Sequence, residues 1–235
     1  MFSYTNWPKV SGRKDTVIKI ISIHIPKTAG RSFYQALKWA YGDLADIPRN
    51  RDKHVKDGRF DTSLLAPGTE VLHGHFMYRE IQHIHEEYDS KVIVWLRDPV
   101  ARVISNYFYN IRMNQNKPWK SRSDIRTRLT LMDFARKPGQ MNIMSRILEG
   151  VEVENLFFTG LVEHYTDHLE ILAQKLGWPE TAPQYHINPG TDNYANPDSP
   201  TQFTEITNEM KEEIREINLK DCKLYEKCRN LTGNS

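Results

Sequence analysis

Thr16-Val17-Ile18-Lys19-Ile20-Ile21-Ser22-Ile23-His24-Ile25, followed by Pro26-Lys27-Thr28-Ala29-Gly30-Arg31-Ser32-Phe33, is the stretch on which the fold turns. Val17, Ile18, Ile20, Ile21, Ile23 and Ile25 put β-branched side chains on both faces of an extended segment, the pattern of a strand buried on both sides of a parallel sheet. Such a strand belongs at the sheet centre. Beyond the turn, Phe33, Leu37, Trp39, Ala40 and Tyr41 set a helical stripe that Gly42 can stop. The unit is strand, loop, helix.

The unit recurs. Thr69 to His73 reads as a strand before a helix from Met77 to Tyr88, and Lys91 to Leu96 as a strand before a helix that Asp98 caps and Pro99 begins. Asn155 to Gly160 reads as a fourth strand, before a helix carrying Leu169, Leu172 and Leu176 and ending at Gly177. Asp43 to Pro67 is charged and irregular, 183–203 is a Pro-, Asn- and Asp-rich long loop or flap, and 204–228 is a C-terminal helix. Alternating strands and helices predict an α/β fold, a three-layer sandwich with a central, mainly parallel sheet, in a single domain over 1–235. Ligands of such sheets bind beyond the carboxyl ends of the strands, so the loops after Ile25, Leu72, Leu96 and Phe158 carry the chemistry.

Composition removes several classes. The 32 basic and 30 acidic residues leave a net charge of +2, too little for recognition of nucleic acid by field alone. No run approaches the roughly 20 apolar residues of a membrane span, and the first residues lack a basic segment followed by an apolar one, which predicts a cytoplasmic protein. Cys222 and Cys228 fall on different sides of one helix and read as free thiols. Asn230-Leu231-Thr232 matches a glycosylation acceptor by chance.

A loop from a buried strand into a helix offers backbone N-H groups and the positive end of the helix dipole to an anion. Gly30 lets the backbone come close to a ligand, Thr28 and Ser32 offer hydroxyls, and Lys27 a mobile cation. The lysine precedes the turn, and there is one glycine, so the loop departs from the G-x-x-x-x-G-K-[ST] pattern of nucleotide triphosphatases. On this loop alone, a capping turn with a solvated lysine is an equal account. A second cradle decides: Arg97 ends a strand and Ser105 follows eight residues later on the next helix, a fork of donors and a hydroxyl suited to phosphate. Two cradles on neighbouring strands imply a ligand with two separated anionic groups.

Ile25 to Phe33 resembles the 5′-phosphosulfate loop of sulfotransferases that use 3′-phosphoadenosine 5′-phosphosulfate, and Leu96-Arg97-Asp98-Pro99 through Ser105-Asn106-Tyr107 resembles their 3′-phosphate motif. His73-Gly74-His75-Phe76 is similar to the histidine segment of the carbohydrate sulfotransferases, most closely the heparan sulfate 2-O-sulfotransferase branch and its bacterial relatives. Weaker similarity continues through Asn142 to Gly150 and Phe158 to Trp178. Arg31 departs from the pattern, standing where the family usually has Thr or Ser.

The resemblance implies a P-loop nucleotide-binding-like fold and transfer of a sulfuryl group from that donor to an acceptor hydroxyl, leaving adenosine 3′,5′-bisphosphate. It implies donor binding by Lys27, Thr28, Ala29, Gly30, Arg31, Ser32, Phe33, Arg97 and Ser105, with Lys27 facing the leaving phosphate oxygen. His75 is the candidate general base; His73, two residues earlier, could orient the site or be the base itself. His73, His75, His83 and His85 do not have zinc-ligand spacing, and the reaction requires no metal. Arg112 to Arg146 is rich in Arg and Lys, which suits an anionic glycan as acceptor and equally suits a solvated charged face, and Tyr109 and Trp119 could stack on sugar rings or belong to the core. Two alternatives stand beside this reading: a nucleotide kinase or triphosphatase of related fold, and a nucleotide- or glycan-binding module without chemistry.

Overall fold

The computed structural model describes residues 17–48, 51–115, 129–180, 182 and 205–232. In chain order the elements are β1 (Ile20–Ile23), α1 (Gly30–Tyr41), β2 (Ala45–Asp46), α2 (Arg51–His54), β3 (Val55–Lys56), β4 (Arg59–Phe60), β5 (Val71–Gly74), α3 (Tyr78–Tyr88), β6 (Lys91–Leu96), α4 (Pro99–Gln115) and α5 (Leu131–Ala135). They continue with α6 (Ile143–Ile147), β7 (Phe158–Leu161), α7 (Tyr165–Leu176), α8 (Asn208–Ile217) and α9 (Leu219–Thr232).

Five strands form a parallel sheet in the order β2-β5-β1-β6-β7. The β-branched first strand lies at its centre, with Ile23 opposite Gly74 on one side and Val94 on the other. Side chains of successive residues leave opposite faces. Ile21, Ile23, Leu72, Val92 and Val94 pack with Ile81 and Ile84 of α3 and with residues of α6 and α9. Ile20, Val71, Ile93 and Trp95 pack with Phe33 and Leu37 of α1 and Leu169 and Leu172 of α7. The three layers follow from this alternation. A further cluster joins Val103, Tyr107 and Ile111 of α4 to α5 and to Ile214 of α8.

Some expectations need correction. The irregular stretch 43–67 contributes an edge strand, β2, and the β3–β4 hairpin. The single C-terminal helix expected over 204–228 is two helices that meet at Asn218. Asn218 is fully buried; its Nδ2 donates to the Ile214 carbonyl at 2.8 Å and its Oδ1 accepts from the Asn142 N-H at 2.9 Å. Asp221, one turn on and also fully buried, accepts from the N-H groups of Met144 (3.1 Å) and Ser145 (2.8 Å) and from the Ser145 hydroxyl (2.8 Å). This carboxylate caps α6 across 76 residues of chain, a tertiary cap that no local pattern announces. The flap over 183–203 lies outside the described residues, as do Trp119 and much of the basic segment around it. Among the described residues no helix is long and apolar enough to cross a membrane.

Candidate active site

Because β5 and β6 flank β1, the chain leaves the sheet in opposite directions on either side of the central strand, and the crevice there brings the loops after β1, β5 and β6 together. Lys27, His75 and Arg97 all stand on these loops. Arg97 Nη1 donates to the Lys27 carbonyl at 3.4 Å, joining the two cradles. The loop after β7 is tied in by Glu163, which accepts from the Asp98 N-H and from the Tyr225 hydroxyl, each at 2.9 Å.

The first cradle has an unusual backbone. Lys27 (φ 73°) and Ala29 (φ 60°) are non-glycine residues in the left-handed region, at a cost of about 1–2 kcal/mol each. Ala29 is the N-cap of α1 but has no side chain to cap with, and the first turn holds no acidic residue. The helix thus begins with N-H groups and a dipole aimed at the crevice. Not every group expected to hold a ligand is free to do so. The Thr28 hydroxyl is buried and donates to the Ile25 carbonyl at 2.9 Å, and the Phe33 N-H donates to the Ala29 carbonyl at 3.0 Å. Thr28 braces the turn, which leaves Ala29 to Ser32 to present N-H groups.

Gly30 also differs from expectation. A Cβ there would lie 1.9 Å from Cδ2 of His24, so the space freed by the missing side chain is taken by an imidazole. His24 was not singled out from the sequence, yet it is the hinge of the site. Its ring stacks on His75 at 4.2 Å and on His73 at 5.1 Å between centroids, and its carbonyl accepts from His75.

The two predicted histidines stand in different surroundings. His73 is 2% exposed, its Nδ1 shares a 2.9 Å hydrogen bond with the Ser22 hydroxyl, and its ring stacks on Tyr34. Burial, reinforced by His75 and opposed by a hydrogen bond with the Gly30 backbone, holds it down at a pKa of about 3. His24 is driven to about 2 by burial, then by His73, His75 and Lys27. Both rings are neutral. His75 is exposed, and its Nδ1-H donates to the His24 carbonyl at 2.7 Å, which places the proton on Nδ1 and leaves the Nε2 lone pair free. Partial desolvation lowers its pKa below the ordinary histidine value, and the bond to His24 counteracts this. His83 and His85 hydrogen-bond the Phe60 carbonyl and the Tyr78 hydroxyl on α3, away from this group.

Lys27 sits with its Nζ over the Tyr109 ring, 4.3 Å from the centroid. Burial, then Arg112, Arg97 and Arg31 in that order, brings it down to about 8. No carboxylate among the described residues pairs with Lys27, Arg31, Arg97 or Arg112. Ser105, Tyr109 and Arg112 are four and three residues apart, on one face of α4. The Ser105 hydroxyl makes no hydrogen bond to its own helix or to any other described residue. In the sequence Arg112 stands out only as part of a basic stretch; its helical spacing from Ser105 is the signal that places it here.

His75 also borders a cleft of about 310 Å³, lined besides by His24, Gly30, Arg31, Tyr34, Gln35, Ile47, Pro48, buried His73 and Gly74. The cleft thus has an aromatic and apolar wall and one lining cation, Arg31.

A model of the sulfotransferase family matches residues 14–227. A protein-tyrosine sulfotransferase of Arabidopsis thaliana is 30% identical over 93 residues, which cover 39% of this chain and 17% of that protein. The crystal structure of a sulfotransferase from Alicyclobacillus acidocaldarius shares the fold, with a TM-score of 0.50 at 17% identity over 90% of this chain and 95% of that one.

Proposed function

The chain belongs to the sulfotransferase family, and we propose that it transfers a sulfuryl group from 3′-phosphoadenosine 5′-phosphosulfate to a carbohydrate hydroxyl, releasing adenosine 3′,5′-bisphosphate. The observation that carries the reading is the set of three cations, Lys27, Arg97 and Arg112: burial, then Arg112 and Arg97, depresses Lys27, and no carboxylate among the described residues pairs with any of the three. Like charges are assembled this way to receive an anion. Ala29 to Ser32 and Lys27 suit the 5′-phosphosulfate; Arg97 and the free Ser105 hydroxyl suit the 3′-phosphate.

In the displacement, the acceptor oxygen forms a bond to sulfur as the bond from sulfur to the bridging phosphate oxygen breaks. His75 Nε2 takes the hydroxyl proton, a role worth typically about 100- to 10,000-fold in rate. The Lys27 ammonium faces the charge that develops on the departing phosphate oxygen. His73, with its ring enclosed, positions the stack and does not take the proton. A tyrosine hydroxyl is the second reading for the acceptor, favoured by the stretch shared with the plant protein-tyrosine sulfotransferase.

The test is binding followed by turnover. Adenosine 3′,5′-bisphosphate should raise the melting temperature, by the equivalent of about 2.7 kcal/mol at a hundredfold excess over Kd. Lys27→Ala and Arg97→Ala should each abolish the shift, whereas His75→Ala should keep it and lose at least about tenfold in turnover of labelled donor. A shift that requires ATP and magnesium and ignores the 3′-phosphate would instead indicate a kinase or triphosphatase.

A further inference from the structure

We propose that Arg31 selects the acceptor by binding an anionic group, a carboxylate or a sulfate ester, carried on the sugar beside the hydroxyl that is sulfated. The inference rests on the sulfotransfer reading above and adds the class of acceptor and the residue that reads it. Arg31 has two parts that face different ways. Its N-H belongs to the first turn of α1, in the donor cradle, whereas its side chain shares a helix stripe with Tyr34 and Gln35, and all three line the cleft beside His75. Arg31 lines this cleft, whereas Lys27, Arg97 and Arg112 are not among its lining residues.

The rest of the cleft wall gives that guanidinium nothing to neutralise it. Tyr34, Gln35, Ile47 and Pro48 carry no charge, His24 and His73 are held neutral, and no carboxylate among the described residues lines the cleft. Arg31 is exposed and has no ion pair among the described residues. A planar fork of donors and an aromatic ring in the same cleft as His75 suit a pyranose with an anionic substituent. A neutral sugar would leave the fork unused.

Three probes separate the possibilities: 4-nitrophenyl β-xyloside, β-glucuronide and β-glucoside 6-sulfate share their ring hydroxyls and differ in what C5 carries. With wild-type protein and labelled donor, kcat/KM should favour one or both anionic probes over the xyloside by about tenfold or more, the scale of an exposed charge-assisted pair. The two anionic arms tell carboxylate from sulfate. Arg31→Thr should reduce that selectivity ratio by about tenfold, with Arg31→Lys in between, while the melting shift with adenosine 3′,5′-bisphosphate stays as in wild type. Equal use of all three probes, no use of any, or an unchanged ratio in Arg31→Thr overturns the inference. So does loss of the nucleotide shift in Arg31→Thr, which would make Arg31 a donor cation. Failure of the nucleotide to bind wild-type protein is a separate result and removes the sulfotransfer reading itself.

Discussion

Raising the pH should weaken donor capture far earlier than the titration of an ordinary lysine would. Burial and three arginines bring Lys27 from 10.5 to about 8. At pH 9 an ordinary lysine is about 97% cationic, but one with a pKa of about 8 is only about one-tenth cationic. Because kcat/KM for the donor reports the free enzyme, it should fall from about pH 8 upward, approaching tenfold per pH unit. The kcat profile should hold to higher pH, since the bound anion restores the charge on Lys27. Initial rates over pH 6.5 to 10 with donor varied and acceptor saturating give both curves. Arg112→Met removes the largest electrostatic cause and should move the limb upward. A limb above pH 10, or one that Arg112→Met leaves in place, refutes the reasoning. Stability runs the other way: between about pH 8 and 10.5 the unfolded chain binds the proton that the folded chain releases, so Lys27 adds stability as pH rises through that window.

Acid should act through the imidazole stack: His24 and His73 are neutral in the fold but protonate below pH 6.5 when unfolded, so urea midpoints should fall as pH drops from 6.5 toward 3, by up to about 1.4 kcal/mol per pH unit for each ring. Asn at position 73 should lessen that slope. Asp221→Ala leaves two amide donors of α6 uncapped and removes the carboxylate that acts on buried Arg102, and should cost about 3–5 kcal/mol in urea unfolding. Tyr109→Leu takes away the face on which Lys27 rests; donor kcat/KM should drop about two- to fivefold with the unfolding midpoint unchanged, and Tyr109→Phe should restore it.

The sheet was readable because β1 carries its environment in its composition: a strand buried on both faces has no polar side to offer, and this one takes the central place. Lys27, Arg97 and Ser105 were readable because each cradle is local, a strand end with the first turns of the helix after it. What brings the cradles and His75 into one crevice is strand order, which joins residues 51 and 70 positions apart. His24, a lone histidine between two isoleucines, gains meaning only once β5 is laid beside β1. The direction of the Thr28 hydroxyl depended on the turn closing back on Ile25, and the break at Asn218 on a partner 76 residues away; neither leaves a periodic trace.

The imidazole of His24 fills the volume that a side chain at position 30 would need, so the two positions are one unit of inheritance. A chain drifting from glycine to alanine or serine at 30 has to shrink residue 24 in the same step or tilt the stack that carries His75. Chains with a small residue at 24 are under no such constraint. In related chains, the residue found three places before the cradle lysine should therefore forecast what is tolerated three places after it.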